Sequence, residues 1–329
     1  MADAVSLRGI TKTFGPKLAV SNLDLTIPEG SLTGFIGPNG AGKTTTIRMI
    51  MSIIFPDTGE LSVLGRASAV ESKDRIGYLP EERGVYKKMK VTAFLEYMAR
   101  LKGVDGAGLS RTVAEWLARV GLQDSSRKKC EELSKGMQQK VQFIGAVIHN
   151  PDLIILDEPF SGLDPVNTRL LRDLVDEQHA RGRTIIFSTH QMVQAETLCD
   201  RVVMIHQGRK VIDDDPAALR EQFDPRALSV EFEAGVATPD IASLPGVESV
   251  TPRGKWIEVR SADSTPPASL MAAVAALAPV RRLEVLRPSL EDMFIEIVQS
   301  KDGAADLVSL RERLRGTATV GAAREGGAD

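Results

Sequence analysis

The chain contains few cysteines, histidines and aromatic residues. Among 329 residues there are two cysteines and four histidines, and aromatic side chains account for 5%. Cys130 and Cys199 lie far apart, and no C-x-x-C spacing occurs. Disulfide frameworks and zinc sites need several suitably spaced cysteines. The sequence therefore argues against both kinds of site and predicts a reducing compartment.

Long apolar runs and a strong net charge are also missing. No apolar run approaches the roughly 18 to 20 residues that span a bilayer, and the opening MADAVSLRGI lacks the basic-then-apolar pattern of a signal peptide. The formal net charge is -3, which does not favour a nucleic-acid binder that relies on bulk charge. We expect a cytoplasmic protein, which would act on a membrane only through the helices of another subunit.

The first part of the chain has the pattern of an α/β protein. Short alternating segments predict an antiparallel β layer built from Ala4–Ile10, Leu18–Val20 and Leu23–Ile27. Further along, apolar runs alternate with helical patterns, as is typical of parallel strands that are buried on both faces. These runs are Leu32–Ile36, Leu153–Leu156, Thr184–Ser188 and Val202–His206. Apolar spacing is helical over about residues 87–150, which predicts a helical subdomain inserted between core strands.

The sequence pattern changes after residue 216. Over residues 226–300 the predicted elements begin with the order βαββαβ, which is that of a ferredoxin-like module. A last helix is predicted to begin at Ser289, with a capping box between Ser289 and Asp292. Residues 301–329 are rich in glycine, alanine and charge, and we expect them to be disordered. The predicted domains are therefore residues 1–222 and 226–300, followed by the tail.

A glycine-rich loop, GPNGAGKT, lies between the apolar run Leu32–Ile36 and an apolar-periodic helix, Ile47–Ile54. The backbone N–H groups of such a loop and the helix N-terminus behind it direct partial positive charge at phosphate oxygens. Lys43 is predicted to reach the β- and γ-phosphates, and the Thr44 hydroxyl to hold Mg²⁺. The predicted nucleotide-binding residues here are Gly37, Pro38, Asn39, Gly40, Ala41, Gly42, Lys43, Thr44 and Thr45.

An acidic pair, Asp157 and Glu158, follows the apolar run Leu153–Leu156. A carboxylate at the end of a buried strand can hold Mg²⁺ through water, and its neighbour can orient a water molecule for in-line attack on the γ-phosphate. An exposed acidic turn is the alternative. The phosphate loop upstream and the SGLD sequence just downstream favour the catalytic interpretation.

The segment LSKGMQQK, residues 133–140, predicts a second anion-binding element. Ser134 stands at an N-cap position, and apolar residues at core-facing spacing follow it. Gly136 allows backbone N–H groups to approach a ligand, and a helix N-terminus carries partial positive charge. A simple capped helix start is the alternative. The chain thus has two different phosphate-binding elements but only one of each.

Together these segments resemble the nucleotide-binding subunit of ABC transporters over roughly residues 4–222. The phosphate loop is similar to Walker A, and Leu153–Glu158 is similar to Walker B with its catalytic glutamate. The resemblance implies an α/β fold, a P-loop NTPase core of the ABC ATPase type with the antiparallel β layer and the inserted helical subdomain, and then the small α+β ferredoxin-like domain. It also implies a head-to-tail dimer, in which each ATP lies between the phosphate loop of one subunit and the signature helix of the other.

The same resemblance implies roles for other residues. His190, in FSTH, is similar to the switch histidine that contacts the γ-phosphate, and Phe14 stands where the family stacks an aromatic ring on adenine. Asp164 ends a D-loop that belongs to the nucleotide site. The implied cofactors are ATP and Mg²⁺. The implied partners are a membrane-spanning permease and a second, identical nucleotide-binding subunit, with the protein peripheral on the inner face of the cell membrane; no nucleic acid is expected.

Two positions depart from the family pattern. Glu81 follows Tyr78-Leu79-Pro80, where the family usually places the Q-loop glutamine. A carboxylate ligates Mg²⁺ at least as well as an amide does, so Glu81 is a predicted metal ligand. Lys135 and Met137 replace two residues of the usual signature LSGGQ, and we expect function to be retained.

Three features resemble the ATPase subunits of type-2 ABC exporters, including the sodium-extrusion and drug-export branches: YLPEERG, LSKGM and the trailing SLEDMFIEIV. By analogy, the small domain would then be regulatory or would reinforce a dimer. A soluble ABC ATPase acting on DNA or ribosomes is the alternative, but it usually carries two nucleotide domains or a long coiled coil. A P-loop kinase or GTPase explains neither LSKGM nor His190.

The segment Gly84–Met89 leads into the predicted helical subdomain soon after Glu81. Its apolar residues Val85, Tyr86 and Met89 stand among lysines, which predicts a groove for a cytoplasmic helix of the permease. Alternatively, these side chains pack the core of the subdomain itself.

Overall fold

The computed structural model of the protein describes residues 2–82, 84–222, 227–262, 265–286 and 289–299. The chain divides into two compact units, Met1–Pro216 and Ala217–Asp329. The tail at 301–329, predicted to be disordered, lies outside the described residues.

The first unit alternates strands and helices after an initial pair of strands. Its strands are β1 (Asp3–Phe14), β2 (Lys17–Pro28), β3 (Leu32–Ile36), β4 (Thr58–Val63), β5 (Ile76–Leu79), β6 (Leu153–Asp157), β7 (Thr184–Thr189), β8 (Arg201–His206) and β9 (Arg209–Asp214). Its helices are α1 (Lys43–Ile50), α2 (Val91–Leu101), α3 (Leu109–Arg119), α4 (Lys135–Val147), α5 (Pro165–Ala180) and α6 (Met192–Leu198). Helix α7, Pro216–Gln222, follows β9.

The central sheet of this unit has the strand order β5-β6-β7-β3-β8-β9. All strands run parallel except β9, which is antiparallel to β8. β3, β6 and β7 are buried along their whole length, as their apolar sequences predicted. Asp157 pairs with Ser188, and Ile36 pairs with Thr189. The loops that follow β3, β6 and β7 therefore meet at one edge of the sheet.

A second sheet, of order β2-β1-β4, forms the predicted antiparallel layer. The sequence predicted three short strands, whereas β1 and β2 are long and continuous. The alternating pattern is broken where Gly9 and Asn22 adopt φ values of 59° and 44° beside shifts in register. β4 was not predicted, because TGELSV begins with exposed polar residues and shows little alternation.

Helices α2, α3 and α4 lie between β5 and β6, in the stretch predicted to be helical. The first two have strongly amphipathic sequences, and their apolar faces are buried through Val91, Phe94, Leu95, Val113, Trp116 and Leu117. α4 approaches β5 very closely. A Cβ atom added at Gly77 would lie only 2.0 Å from the carbonyl oxygen of Ala146, so this contact requires glycine.

The second unit is a four-stranded antiparallel sheet with helices. Its elements are β10 (Ala227–Phe232), β11 (Val247–Arg253), β12 (Trp256–Ser261), α8 (Pro267–Leu277), β13 (Val280–Leu286) and α9 (Leu290–Gln299). The strand order is β11-β12-β10-β13. The first helix of the predicted βαββαβ order is reduced to one 3₁₀ turn, Ile241–Ser243, which still contributes Ile241 to the core. The segment between β10 and β11 contains Gly235, Pro239 and Gly246, and such residues disfavour a longer helix.

The start of α9 carries the predicted capping box. The backbone N–H of Asp292 donates to Ser289 Oγ at 3.1 Å, and the backbone N–H of Ser289 donates to Asp292 Oδ2 at 2.8 Å. Neither α9 nor any other helix among the described residues is long and apolar enough to cross a membrane.

Replacing Gly77 with alanine is expected to destabilise the first unit, because the new methyl group would overlap backbone atoms of α4 that cannot rotate away. Overpacking of this kind costs about 1–3 kcal/mol, which corresponds to a fall in melting temperature of roughly 3 to 10 °C. Gly108→Ala is the matched control, since nothing lies within 4 Å of a Cβ atom there. Equal melting temperatures for the two variants would show that α4 can move away from β5.

Candidate functional site

The loop between β3 and α1 has a backbone that only glycine permits. Gly37 and Gly42 have φ values of 149° and 112°. A Cβ atom at Gly37 would lie 2.2 Å from the carbonyl oxygen of Ile205, and one at Gly42 would lie 2.7 Å from that of Ala19. The loop is therefore wedged between backbone segments. No side chain among the described residues caps the N-terminus of α1, which leaves its N–H groups available to an anion.

Lys43, the first residue of α1, is folded back onto its own loop. Its Nζ donates hydrogen bonds to the carbonyl oxygens of Gly37 at 2.7 Å and Pro38 at 3.1 Å. Burial lowers the pKa of Lys43, and the negative charges of Glu158, Asp157 and Glu81 oppose this shift. A cation held among three carboxylates and carbonyl oxygens is ready to exchange those carbonyl partners for phosphate oxygens.

Asp157 and Glu158 are fixed by Ser188 on the neighbouring strand β7. The Ser188 hydroxyl donates to Asp157 Oδ1. The backbone N–H of Glu158 donates to the carbonyl oxygen of Ser188 at 3.1 Å, and Glu158 has a φ of 50°. This left-handed conformation, which is uncommon outside glycine, turns the chain sharply at the end of the strand. Both acidic residues are buried, but Glu158 lines the cleft beside Lys43 and Asp157 does not.

Burial raises the pKa of Asp157, an effect that the hydrogen bonds of Ser188 and Thr44 partly offset. Within the described part of the chain, the buried Oδ2 of Asp157 has no hydrogen-bond partner. An orphaned carboxylate oxygen of this kind fits a divalent cation. Nearby oxygen donors are the Thr44 hydroxyl and the Glu81 carboxylate. No group of three or more His, Cys, Asp or Glu suited to a metal is present in the described ranges, so Mg²⁺ would need phosphate oxygens as well.

His190 and Glu158 form a close pair. Glu158 Oε1 accepts from the backbone N–H of His190 at 2.9 Å and lies 2.8 Å from its Nδ1. Thr189 Oγ1 makes a long 3.5 Å contact with Glu158 Oε2. The His190 side chain is 43% exposed. One oxygen of Glu158 is thus held firmly, while the other is nearly free.

These elements enclose a cleft of about 350 Å³. It is lined by Phe14, Lys17, Ala19, Asn39, Gly40, Gly42, Lys43, Thr44, Thr45, Glu81 and Glu158. Phe14, 49% exposed, stands at its rim. Lys17 and Ala19 were not anticipated. The hairpin pairs Phe14 directly with Lys17, but nothing in the sequence indicated which residues of that hairpin face the phosphate loop.

The residues Ser134, Gly136 and Asp164 belong to a different cluster. Ser134 caps α4, since its Oγ accepts from the backbone N–H of Met137 at 3.3 Å. Asp164 caps α5 and accepts from the backbone N–H of Asn167 at 2.9 Å. A Cβ atom at Gly136 would lie 3.5 Å from the Asn167 side chain, so the two caps are neighbours. In the described residues neither Ser134 nor Gly136 lines the cleft at Lys43.

Comparison with known proteins identifies the family. The family described as "ABC transporter" matches residues 20–161, and "ATP-binding protein DrrA1-3-like, C-terminal domain" matches residues 215–298. A family described as an AAA domain also matches residues 130–193. An uncharacterized ABC transporter ATP-binding protein of Bacillus subtilis is 40% identical over 88% of this chain and 96% of its own length. The chain belongs to the ABC transporter ATP-binding proteins.

Other relatives carry more specific names. The Nod factor export ATP-binding protein I of a Rhizobium species is 33% identical over 89% of this chain and 96% of its own length. A fluoroquinolones export ATP-binding protein of Mycobacterium tuberculosis is 36% identical over 70% of this chain and 77% of its own. A solved structure of an ATP-binding subunit of an ABC transporter is 29% identical and covers 67% of this chain and 92% of its own, with a TM-score of 0.62.

The comparisons confirm the predicted fold class, an ABC ATPase core followed by a small α+β domain. They also confirm the predicted resemblance to type-2 exporter ATPases. The chain is an ATP-binding ATPase subunit.

The raised pKa of Asp157 predicts how stability depends on pH. The folded protein binds a proton at this carboxyl more tightly than the unfolded chain does, so ionisation of Asp157 costs stability as pH rises through the raised pKa. Without nucleotide or Mg²⁺, Asp157→Asn should therefore melt at a higher temperature than the unsubstituted protein at pH 7, and the difference should shrink as the pH is lowered.

Scanning calorimetry across this pH range measures the effect. Asp124→Asn, at an exposed position, is the control and should change the melting temperature little at either end. A lower melting temperature for Asp157→Asn at pH 7 would contradict the interpretation that burial disfavours the ionised form of this carboxylate.

Proposed function

We propose that this protein hydrolyses ATP to power a membrane-embedded exporter, and that ATP-driven dimerisation transmits the energy. The observation that carries the proposal is the separation of the two anion-binding elements: among the described residues, the cleft at Lys43 is not lined by Ser134 or Gly136. A second, identical chain would bring its own Ser134 helix start to the nucleotide and complete the site. Relatives named for export of Nod factor and of fluoroquinolones support the direction of transport.

The side chains around the cleft supply the chemistry that hydrolysis needs. The loop amides and Lys43 hold the β- and γ-phosphates once the Lys43 ammonium leaves its own loop carbonyls. Glu158 orients the attacking water in line with the leaving group. His190 fixes one oxygen of Glu158, which leaves Oε2 to accept a hydrogen bond from that water. Phe14, at the rim, stacks on adenine.

Thr44, Asp157 and Glu81 are the residues that would hold Mg²⁺, which when bound offsets negative charge on the β- and γ-phosphates. Asp157 contributes the buried oxygen that lacks a hydrogen-bond partner in the described part of the chain. Glu81 adds a full negative charge where the family usually has an amide, and this charge acts on Lys43 as well. We propose that Glu81 fills the role of the Q-loop glutamine.

Replacing Glu158 with glutamine should slow ATP hydrolysis by about 10²- to 10⁴-fold, because the amide cannot orient and activate the water as a carboxylate does. ATP affinity should stay near that of the unsubstituted protein, since the phosphate loop and Asp157 are unchanged. The variant should accumulate as an ATP-bound dimer in sedimentation velocity. Glu115→Gln, on the exposed side of α3, is the control for loss of a carboxylate. Near-normal turnover by the Glu158 variant would refute the assignment.

The helical subdomain has an exposed, largely aromatic surface that could bind the permease. We call it the aromatic surface. It consists of the rings of Tyr86 and Tyr97 and the neighbouring apolar side chain of Leu101, which are 52%, 39% and 53% exposed. The Tyr86 ring lies edge-on to the rings of Phe94 and Tyr97, with centroids 6.0 and 5.6 Å apart. Leu101 follows Tyr97 by about one turn of α2. The prediction that Val85 also faces a partner is corrected, because Val85 is buried in the core of the unit.

We propose that this aromatic surface receives a cytoplasmic helix of the permease. Exposed lysines at positions 87, 88 and 90 lie next to it in sequence and would pair with acidic residues of that helix. The surface follows Glu81 by a few residues, so a helix bound here would respond to the state of the nucleotide site.

Tyr86→Ala combined with Tyr97→Ala should abolish stimulation of ATPase activity by the reconstituted permease. The basal ATPase rate of the isolated subunit and its melting temperature should change little, because both rings are substantially exposed. Leu277→Ala, which shortens an exposed apolar side chain of the second unit, is the matched control. A large fall in melting temperature for the double variant would assign the rings to the core of the subdomain instead.

We further propose residues 1–222 as the nucleotide-binding domain, with the protein peripheral on the cytoplasmic face of the membrane, and residues 226–300 as a regulatory or dimer-reinforcing domain. The competing function is that of a soluble ABC ATPase on nucleic acid or ribosomes. The neighbouring gene separates the two: a membrane protein with several spans supports the exporter, and a nuclease or ribosomal factor supports the alternative.

A further inference from the structure

The tip of the β1–β2 hairpin, which carries Phe14, is tied to a distant part of the chain by one carboxylate. Asp57 precedes β4. Its Oδ1 accepts from Lys12 Nζ at 2.7 Å, and its Oδ2 accepts from the backbone N–H and the hydroxyl of Thr13 at 2.7 and 2.5 Å. Its own backbone N–H donates to the carbonyl oxygen of Thr11 at 2.8 Å. Four hydrogen bonds therefore join Asp57 to the three residues before Phe14.

The same arrangement places a cation over the Phe14 ring. Lys12 Nζ lies over the ring at 5.6 Å from its centroid, and Asp57 holds that ammonium in place. Its hydrogen bonds with Lys12 and Thr13 lower the pKa of Asp57 to about 2, so the carboxylate stays ionised at any pH used for assays. The cation lies over one face of the ring, and Phe14 is still 49% exposed, which leaves room for a flat ligand.

We propose that Asp57 is a positioning residue for nucleotide recognition: through Lys12 and Thr13 it holds the Phe14 ring at the rim of the cleft, ready to stack on the base. This inference rests on the proposed role of Phe14. Hairpin tips are ordinarily among the more mobile parts of a fold. A ring that is already fixed loses less conformational entropy on binding, so fixing it increases affinity without any direct contact between Asp57 and nucleotide.

The proposal makes a ligand-specific prediction, because only ATP has a base to stack. Asp57→Ala should weaken ATP binding by about 5- to 10-fold, a part of what a stacked aromatic ring contributes. Binding of inorganic tripolyphosphate, which engages only the phosphate loop, should stay the same within about twofold. Calorimetric titration of each variant with both ligands measures the two affinities directly.

Two further variants test whether the effect passes through Phe14. In a double-mutant cycle, Asp57→Ala should have almost no effect on ATP affinity when Phe14 is already alanine. Asp24→Ala is the matched control. Asp24 also accepts a backbone N–H of β1, that of Gly9 at 2.8 Å, yet it lies away from Phe14 along the hairpin, so its loss should leave both affinities unchanged.

The other possible outcomes would overturn either the positioning role of Asp57 or the stacking by Phe14. Equal weakening for ATP and tripolyphosphate, additive effects in the cycle, or no change at Asp57 overturns the positioning role while leaving Phe14 as the base-stacking residue. If Phe14→Ala alone does not weaken ATP binding, the proposed stacking itself is wrong and the inference is overturned with it. Thr13→Val, which removes only one hydrogen bond to Asp57, provides the same comparison should Asp57→Ala fail to fold.

Discussion

The site depends on the register between β6, β7 and β3. Because Asp157 pairs with Ser188 and Ile36 pairs with Thr189, the acidic pair, His190 and the glycine-rich loop leave the sheet at the same level. A shift of one residue in β7 would turn Ser188 to the opposite face and remove the hydroxyl that holds Asp157. Burial enforces this register, since a slip would leave the buried Asp157 carboxylate without the Ser188 hydroxyl that donates to it.

The site holds the cation of Lys43 near the carboxylates of Asp157 and Glu158 without a direct ion pair. Lys43 rests on loop carbonyls, and its charge faces Asp157 and Glu158 rather than pairing with either directly. Asp157 has one oxygen on Ser188 and one with no hydrogen-bond partner among the described residues. Burial disfavours the charged form of both groups. Under the proposed function, phosphate would restore the lost solvation of the cation, and a divalent ion would restore that of the anion.

The sequence predicted the parts of this arrangement that depend on local chemistry. The glycine-rich loop, Ser134 at a helix start and the continuous apolar strands all reflect short-range constraints. It did not predict β4, whose pairing with β1 supplies the stability that its own polar sequence lacks. It also missed Lys17, and it misjudged Val85, because which side of a short segment faces the core depends on elements distant in sequence. The sequence around Asp57 predicts only a turn, because its contacts with Lys12 and Thr13 join segments that are distant in sequence.

Helix α4 links the Ser134 helix start to the loops that follow β5 and β6. Ser134 caps its first turn, while two glutamines further along the helix contact these loops. Gln139 donates to the carbonyl oxygen of Pro159, next to Glu158, at 3.0 Å, and Gln142 donates more weakly to that of Glu82, next to Glu81, at 3.4 Å. Both glutamines are buried, so these bonds are shielded from water. A rigid displacement of α4 would therefore move Ser134 together with the backbone next to Glu81 and Glu158, and in the proposed dimer it would couple the two anion-binding elements.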